Sequence, residues 1–191
     1  MKTVGSVIAR LGSKRLTYKN LLPYQGEPLV LRAVRKLLES DSIDQVVLST
    51  DSELIARTCL LEGVEILFRP DQLAGDEVPS IPVFQHIVAH FPCDIHLNYN
   101  CNFPECEPSV IDEALSLAEE KGESLSNPFA VWAQTKACLD SYGDPFAITA
   151  TQFDAPGVHP LDIHTMEDLL EVHRAKQSTF FWDELKKVNF T

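Results

Sequence analysis

Short apolar runs alternate along the first 120 residues with stretches in which apolar side chains recur every three or four positions. The runs predict strands at 3–8, 45–49, 65–68 and 95–98. The helical spacing predicts helices at 29–40, 52–62, 83–90 and 109–118. Alternation of this kind is typical of βαβ units, so the chain is predicted to form a three-layer α/β/α fold around a mainly parallel sheet.

Turn and capping residues predict where these helices begin and end. Ser52 and Ser109 are expected to cap helices, and Gly63 to stop the helix that precedes the third strand. Beyond residue 120 the pattern weakens, with strands expected at 129–133 and 146–149 and a helix from Thr165 to Lys176. The apolar run 180–182 is expected to dock on the core, with an exposed partner-binding patch as the alternative. Without repeats or linkers, residues 1–191 are interpreted as one domain.

The charge balance excludes two classes of partner. The 191 residues carry 28 acidic and 16 basic side chains, a formal charge of −12. With no long basic run, nucleic-acid and membrane-surface binding are not expected. An apolar stretch long enough for a membrane span or a leader peptide is also lacking, which favours a cytoplasmic protein. Five cysteines without a C-x-x-C pair are interpreted as free structural thiols.

Positive charge is concentrated in one loop of this acidic chain. Arg10, Lys14, Arg15 and Lys19 lie between the first strand and the first helix, around the turn formed by Gly12 and Ser13. In an open α/β sheet, ligands bind beyond the carboxyl ends of strands, where backbone N–H groups can face phosphate oxygens. The loop is neither a Walker A motif nor a dinucleotide fingerprint. It predicts a polyphosphate site, with a solvated basic loop as the alternative.

Four segments resemble a known family. Residues 7–20, V-I-A-R-L-G-S-K-R-L-T-Y-K-N, resemble the I-P-A-R-x-G-S-K-R-L-P-x-K-N loop of the sugar-acid cytidylyltransferases, the acylneuraminate (CMP-sialic acid) synthetase family. The S-T-D at 49–51 and the segment 69–80 are similar to that family's S-T-D and R-P-x-x-L-A-x-D-x-x-x-S motifs. Residues 161–169 resemble its closing I-D-I-D-T-x-E-D-L. The resemblance implies a nucleotide-diphospho-sugar-transferase-like (Rossmann-like) fold.

It also implies an activity: transfer of CMP from CTP to a small sugar acid of the sialic-acid or Kdo type, with release of pyrophosphate. Arg10, Lys14 and Lys19 would be catalytic, because positive groups must neutralise charge on the phosphates. Further nucleotide-binding residues would be Ala9, Gly12, Ser13, Asn20, Arg69, Ser80 and Asn100. Arg69 and Ser80 would read the cytosine, the alternatives being a surface ion pair and a helix N-cap. A homodimer is a possible assembly.

The chain departs from the family around the metal and the sugar. Asp162 is kept as a metal ligand, but His164 stands in place of a second aspartate and Asn102 in place of the aspartate of Kdo-type enzymes. Cys106 replaces an arginine expected near the sugar acid. Mg²⁺ or Mn²⁺ is the expected cofactor, with Mg²⁺ held weakly, because imidazole suits Mn²⁺ better.

Three functions therefore remain open. The first is an active cytidylyltransferase. The second is a nucleotide-binding or regulatory protein that lost the metal pair and with it catalysis. The third is a nucleotidyltransferase of the same architecture with another base or acceptor.

Overall fold

The alternating pattern folds into a seven-stranded sheet with helices on both faces. The computed structural model describes residues 1–61 and 63–187, and describes side chains as far as residue 176. The strands within these residues are β1 (Thr3–Ala9), β2 (Pro23–Tyr24), β3 (Glu27–Pro28), β4 (Gln45–Thr50), β5 (Val64–Phe68), β6 (Ile95–Tyr99), β7 (Glu123–Asn127), β8 (Val131–Thr135) and β9 (Thr151–Asp154). The helices are α1 (Leu29–Leu38), α2 (Glu53–Thr58), α3 (Ser80–His90), α4 (Pro108–Lys121), α5 (Lys136–Asp140) and α6 (Met166–Lys187).

The large sheet has the strand order β5-β4-β1-β6-β8-β7-β9. Its first four strands are mutually parallel, and β7 and β9 are parallel to each other. Strand β8 is antiparallel to both of its neighbours, β6 and β7. The prediction of a three-layer α/β/α fold around a mainly parallel sheet is confirmed.

Two apolar clusters fill the space between sheet and helices. One cluster joins the sheet to α1, α2, α4 and α6, and the other joins it to α3 and α5. Gly5 shows how closely the first layer packs, because a Cβ there would lie 2.9 Å from Ile43 Cγ2 and 3.3 Å from Leu37. The absence of a side chain at Gly5 therefore lets α1 approach β1.

Most predicted boundaries lie within a few residues of the observed ones, but several details are wrong. Pro108 begins α4 and Glu107 holds its N-cap position, so Ser109 is not a cap. The helix predicted to reach residue 62 ends at Thr58, while Ser52 caps it as predicted, its Oγ accepting from Ile55 N. Gly63 has φ +85°, which suits glycine at the turn before β5.

The weakly patterned segment after residue 120 contains the largest errors. Residues 146–149 are not a strand, and Phe146 and Ile148 are 74% and 54% exposed. The strand in this region is β9, which pairs with β7, and neither β7 nor α5 was predicted. The helix predicted from residue 165 is present. Thr165 Oγ1 accepts from Asp168 N, and the Asp168 carboxylate accepts from Thr165 N.

The side chains of residues 180–182 lie outside the described ones, so the prediction of a docked tail stays a prediction. The assignment of one domain likewise stays a prediction. None of the helices within residues 1–61 and 63–187 combines the length and the apolar character needed to cross a bilayer. All five cysteines are free, and four of them are buried, as predicted.

Candidate functional site

A cleft of about 260 Å³ opens beyond the carboxyl ends of β1 and β6. From β1 the chain moves outward to β4 and β5, and then returns to the other side of β1 as β6. The order of the strands therefore reverses between β1 and β6, which is where open α/β sheets bind their ligands. Most of the predicted nucleotide-binding residues line this cleft, namely Arg10, Gly12, Ser13, Lys19, Asn20, Arg69, Ser80 and Asn100.

The loop after β1 is shaped by two polar side chains. Asp51 Oδ1 accepts a hydrogen bond from Leu11 N at 3.0 Å, which joins the loop to the end of β4. Asn20 Nδ2 donates to Arg10 O at 3.0 Å and closes the loop on itself. Asn20 thus contributes to the shape of the loop as well as to the cleft wall. Ala9 is the last residue of β1. It is buried and directly precedes the loop.

Two of the loop's cations are paired with carboxylates from the segment before α3. Arg10 forms an ion pair with Asp76, and Lys14 Nζ lies 3.0 Å from Asp76 Oδ2 and 3.3 Å from Glu77 Oε1. These pairs are partly exposed, so their contribution to stability is small. A phosphate group that displaced Asp76 and Glu77 would therefore meet cations that are already in place.

Lys19 is the most enclosed cation of the loop. Its Nζ donates to Ile163 O at 3.3 Å, which joins the loop to the segment that carries Asp162. Burial is the main influence on Lys19 and lowers the pKa of its ammonium, while nearby Asp162 acts in the opposite direction. A partly desolvated ammonium has few water contacts to lose when a phosphate oxygen binds.

Arg69 also lines the cleft and has unused donors. Its Nη1 donates to Leu73 O at 3.5 Å, but its buried Nε and Nη2 make no hydrogen bond within the described residues. Burial lowers the pKa of Arg69, and nearby Asp51 opposes that shift. The alternative of a surface ion pair is wrong, because the guanidinium is buried and has no carboxylate partner among the described side chains.

Ser80 lines the same cleft. It is the first residue of α3, and Pro79 holds the N-cap position, so the alternative of a helix cap for Ser80 is wrong. Arg69 and Ser80 together give the cleft two unpaired donor nitrogens and a hydroxyl.

The turn after β6 is held by its own asparagines. Asn100 Nδ2 donates to Phe129 O at 3.2 Å, and Asn100 Oδ1 accepts from Asn102 N at 3.1 Å. Both ends of the Asn100 amide therefore have a partner inside the protein. Cys106 lies outside the cleft, buried in an isolated bridge to Val158. It is not among the residues that line this cleft.

Asp162, His164 and Asn102 converge beside the cationic loop. Asn102 Nδ2 donates to Asp162 Oδ1 at 2.8 Å, and His164 Nε2 lies 2.9 Å from Asp162 Oδ2. Arg15 Nη2 lies 3.0 Å from His164 Nδ1. Since a guanidinium can only donate, Nδ1 accepts and the imidazole proton resides on Nε2, where it donates to Asp162.

The side chains of Asp162, His164 and Asn102 fit a divalent ion only when a bound ligand supplies further oxygen atoms. The described residues contain no group of three or more His, Cys, Asp or Glu side chains arranged to hold a metal. The Asp162 carboxylate nevertheless contacts both the His164 imidazole and the amide nitrogen of Asn102. A triphosphate could supply the remaining hard oxygens, and the imidazole favours Mn²⁺ over Mg²⁺.

Reasoning from the sequence missed Asp76 and Asn98, both of which line the cleft. Asp76 belongs to a motif that was recognised, but its contact with Arg10 depends on how two loops fold together. Asn98 had a local signal, because an amide is unusual within a buried strand. Of the histidines outside this site, His96 is buried in the sheet, and the His86 and His90 rings pack 4.5 Å apart along α3.

The profile of one protein family, described as cytidylyltransferase, matches residues 5–150. An N-acylneuraminate cytidylyltransferase of Streptococcus agalactiae is 31% identical over 93 residues, 48% of this chain and 22% of the relative. The match thus spans less than a quarter of the relative's length.

Solved structures share the fold. A CMP-2-keto-3-deoxy-manno-octonic acid synthetase solved with CTP superposes with a TM-score of 0.76 at 14% identity, covering 94% of this chain and 100% of the other. A Mycobacterium tuberculosis protein solved with manganese gives a TM-score of 0.65 at 16% identity, covering 91% and 99%.

Proposed function

Because the chain belongs to the cytidylyltransferase family, we propose that it transfers CMP from CTP to a small sugar acid and releases pyrophosphate. The observation that carries the proposal is the cleft at the β1–β6 reversal, which is lined both by a cationic loop and by Arg69 with its unpaired donors. That arrangement suits a ligand with a polyanionic end and a polar, planar end. A nucleoside triphosphate is such a ligand.

The loop residues would bind and orient the triphosphate. Arg10, Lys14 and Lys19 supply positive charge, and the turn at Gly12 and Ser13 brings backbone N–H groups to the phosphates. In the reaction a hydroxyl oxygen of the acceptor bonds to the α-phosphorus, and the bond to the β-phosphate oxygen breaks. Negative charge then grows on the leaving pyrophosphate, where fixed cations stabilise it.

Asp162, with His164 and Asn102, would hold a divalent ion, Mn²⁺ or Mg²⁺, against the triphosphate. When bound, such an ion neutralises phosphate charge and orients the α-phosphate. The chain's own contribution is to keep the Asp162 carboxylate beside Lys19, through the bond from Lys19 Nζ to Ile163 O. The manganese in a structural neighbour supports a metal of this kind.

The acceptor would lie against the turn after β6, on the side of the cleft lined by Cys101, Asn102 and Phe129. Sialic-acid and Kdo-type acids are the proposed acceptor class, because relatives of both kinds share the family and the fold. Cys106 is buried away from the cleft. The acceptor's carboxylate must therefore meet a different cation, and Arg15 beside His164 is available for it.

The test is release of pyrophosphate from CTP with Mn²⁺ or Mg²⁺ across a panel of keto-sugar acids. Turnover with one acid and none with CTP alone is the expected result. CTP binding seen by calorimetry without turnover on any acid would favour a nucleotide-binding protein without catalysis. The same assay with the other three nucleoside triphosphates tests the remaining alternative of a different base.

Arg69 is expected to select cytosine over uracil. Cytosine N3 accepts a hydrogen bond whereas uracil N3 donates one, so the unpaired Arg69 donors can satisfy only the former. Arg69→Lys should reduce the ratio of CTP to UTP affinity by roughly tenfold, because lysine lacks the planar donor set. Calorimetry with both nucleotides gives the ratio.

Arg32→Lys is the matched control for Arg69→Lys. Arg32 is also largely enclosed, but its Nε donates to Pro104 O and its Nη2 pairs with Glu105, away from the cleft. Its replacement should leave the CTP to UTP ratio unchanged. Equal affinity of the unmodified protein for CTP and UTP would contradict the assignment of Arg69 to the base.

A further inference from the structure

Four buried polar side chains form a row through the sheet that ends at the cleft. Ser6 belongs to β1, His96 and Asn98 to β6, and Gln134 to β8, and none is more than 4% exposed. The row lies on the face covered by α3, where the His96 ring packs 4.7 Å from the ring of Phe84. Polar groups in such an apolar layer destabilise the fold unless they bond to one another.

Strand register brings these side chains into contact. Ser6 is the β1 partner of Asn98, and Gln134 is the β8 partner of His96. Ser6 Oγ lies 2.8 Å from His96 Nε2 and 3.3 Å from Asn98 Oδ1, and His96 Nδ1 lies 3.2 Å from Gln134 Oε1. The row is therefore one continuous hydrogen-bonded chain from the core to the cleft.

The direction of this chain follows from the bond between Ser6 and Asn98. The single proton of Ser6 Oγ goes to Asn98 Oδ1, so Oγ must accept from His96 Nε2–H. A neutral imidazole then accepts at Nδ1. The Gln134 amide must therefore turn by half, so that Nε2 instead of Oε1 faces that nitrogen, and this gives a partner to a buried Nε2 that otherwise has none among the described residues.

His96 stays neutral, so its ring carries a single proton. Complete burial lowers the pKa of His96 to about 4. No carboxylate is among the hydrogen-bond and ring partners of His96 on β1, β8 or α3. With one proton on the ring and one on the serine, Asn98 Oδ1 is held toward Ser6.

Asn98 consequently has its amide N–H₂ available to the cleft. Its Nδ2 makes no hydrogen bond within the described part of the chain, and the residue lines the cleft together with Ile8, Ser80 and Val83. These neighbours belong to the same sheet face and to the first turn of α3, the region assigned above to the base. Asn100, two residues further along, has both ends of its amide engaged.

We propose that Asn98 is a specificity-determining residue that donates from Nδ2 to N3 of the cytosine, a ring acceptor that uracil lacks. Ser6 and His96 are positioning residues that fix which end of the Asn98 amide faces the base. The inference rests on the proposed function, since it requires CTP to bind in this cleft. It adds a third base contact to those of Arg69 and Ser80. The residues that orient Asn98 for this contact lie in the interior of the sheet.

Calorimetric titration of CTP tests the contact directly. Asn98→Ala should weaken CTP binding by about tenfold, which is the usual loss for one hydrogen bond in an enclosed site. Asn98→Asp keeps the shape but can only accept when ionised, so it should weaken binding at least as much at neutral pH. If Asn98→Asp binds CTP as tightly as the unmodified protein, the amide presents its oxygen and the proposed direction is wrong.

Ser6→Ala tests the positioning role. Without the serine the Asn98 amide is free to turn, so the ratio of CTP to UTP affinity should fall several-fold while some binding persists. Ser124→Ala is a matched control, because Ser124 is an equally buried serine of the same sheet whose Oγ donates to Ala114 O, away from the cleft. It should leave both affinities unchanged. A loss of affinity caused by general destabilisation would appear in both variants. Thermal unfolding of each variant measures the change in stability.

The outcomes separate this inference from the proposed function. If the unmodified protein binds no CTP, the proposed function is wrong and the inference with it. If it binds CTP, and both Asn98→Ala and Ser6→Ala match it in CTP affinity and in the CTP to UTP ratio, the proposed function stands and the inference is overturned.

Discussion

Replacing Lys19 by alanine is expected to weaken CTP binding by about ten- to a hundredfold. The replacement removes a charge-assisted hydrogen bond to phosphate, typically about 1.5–3 kcal/mol, from a site where water cannot easily take its place. Lys19 is the most enclosed cation of the loop, and its Nζ donates to Ile163 O, next to Asp162 in the chain. Calorimetry with CTP in the absence of metal measures the effect without any contribution from catalysis.

Lys36 provides a matched control for the loss of Lys19. It too is a half-buried lysine with a pKa lowered by burial, and its Nζ donates to the backbone oxygen of Cys106 at 2.8 Å. Lys36→Ala removes a comparable structural bond far from the cleft and should leave CTP affinity unchanged. The phosphate-loop assignment would have to be abandoned if Lys19→Ala and Arg10→Ala both bind CTP as the unmodified protein does.

Loss of the Asp162 carboxylate is expected to abolish turnover. Asp162→Asn keeps the size of the side chain but removes the one negative charge in the proposed metal-binding set, and neutral donors hold a divalent ion poorly. The unmodified protein should turn over faster with Mn²⁺ than with Mg²⁺, because an imidazole is part of the set. Pyrophosphate release with each ion measures both effects, and Mn²⁺ binding followed by electron paramagnetic resonance provides a readout that does not depend on turnover.

Substitutions that restore oxygen ligands should act in the opposite direction. His164→Asp replaces the imidazole with a second carboxylate, and Asn102→Asp does the same at the neighbouring position, so each should raise activity in Mg²⁺. His159→Asp is a suitable control, because it adds the same charge in the same segment while residue 159 does not line the cleft. Full activity of Asp162→Asn would show that the metal lies elsewhere or is not needed.

The first two-thirds of the fold could be predicted because its elements have local signatures. Strands β1, β4, β5 and β6 are short apolar runs, and the helices between them repeat their apolar positions at helical spacing. Residues 146–149 were mistaken for a strand since Phe146 and Ile148 are apolar, although both side chains are exposed. Strand β7, by contrast, is E-S-L-S-N, a polar sequence that is buried only because α4 and β8 cover it.

In the candidate site, too, some features have a local signal in the sequence and others do not. The cationic loop was visible because charge next to the end of a strand is a local property of the sequence. The burial of Arg69 and the pairing of Arg10 with Asp76 depend on segments more than fifty residues apart in the chain. Neither follows from the residue types alone, since an arginine in a loop is more often exposed.

The sequence by itself determined the order of the main strands and helices from β1 to α4, the position of the cationic loop and the family resemblance, because each depends on neighbours in the chain. The tertiary structure alone decided which polar groups meet. Ser6, Asn98, His96 and Gln134 come together through strand register, and Asp162 meets Asn102 across sixty residues of chain. The physical reason is that a hydrogen bond needs its two atoms within about 3 Å. For residues distant in sequence, only the packing of sheet and helices sets that separation.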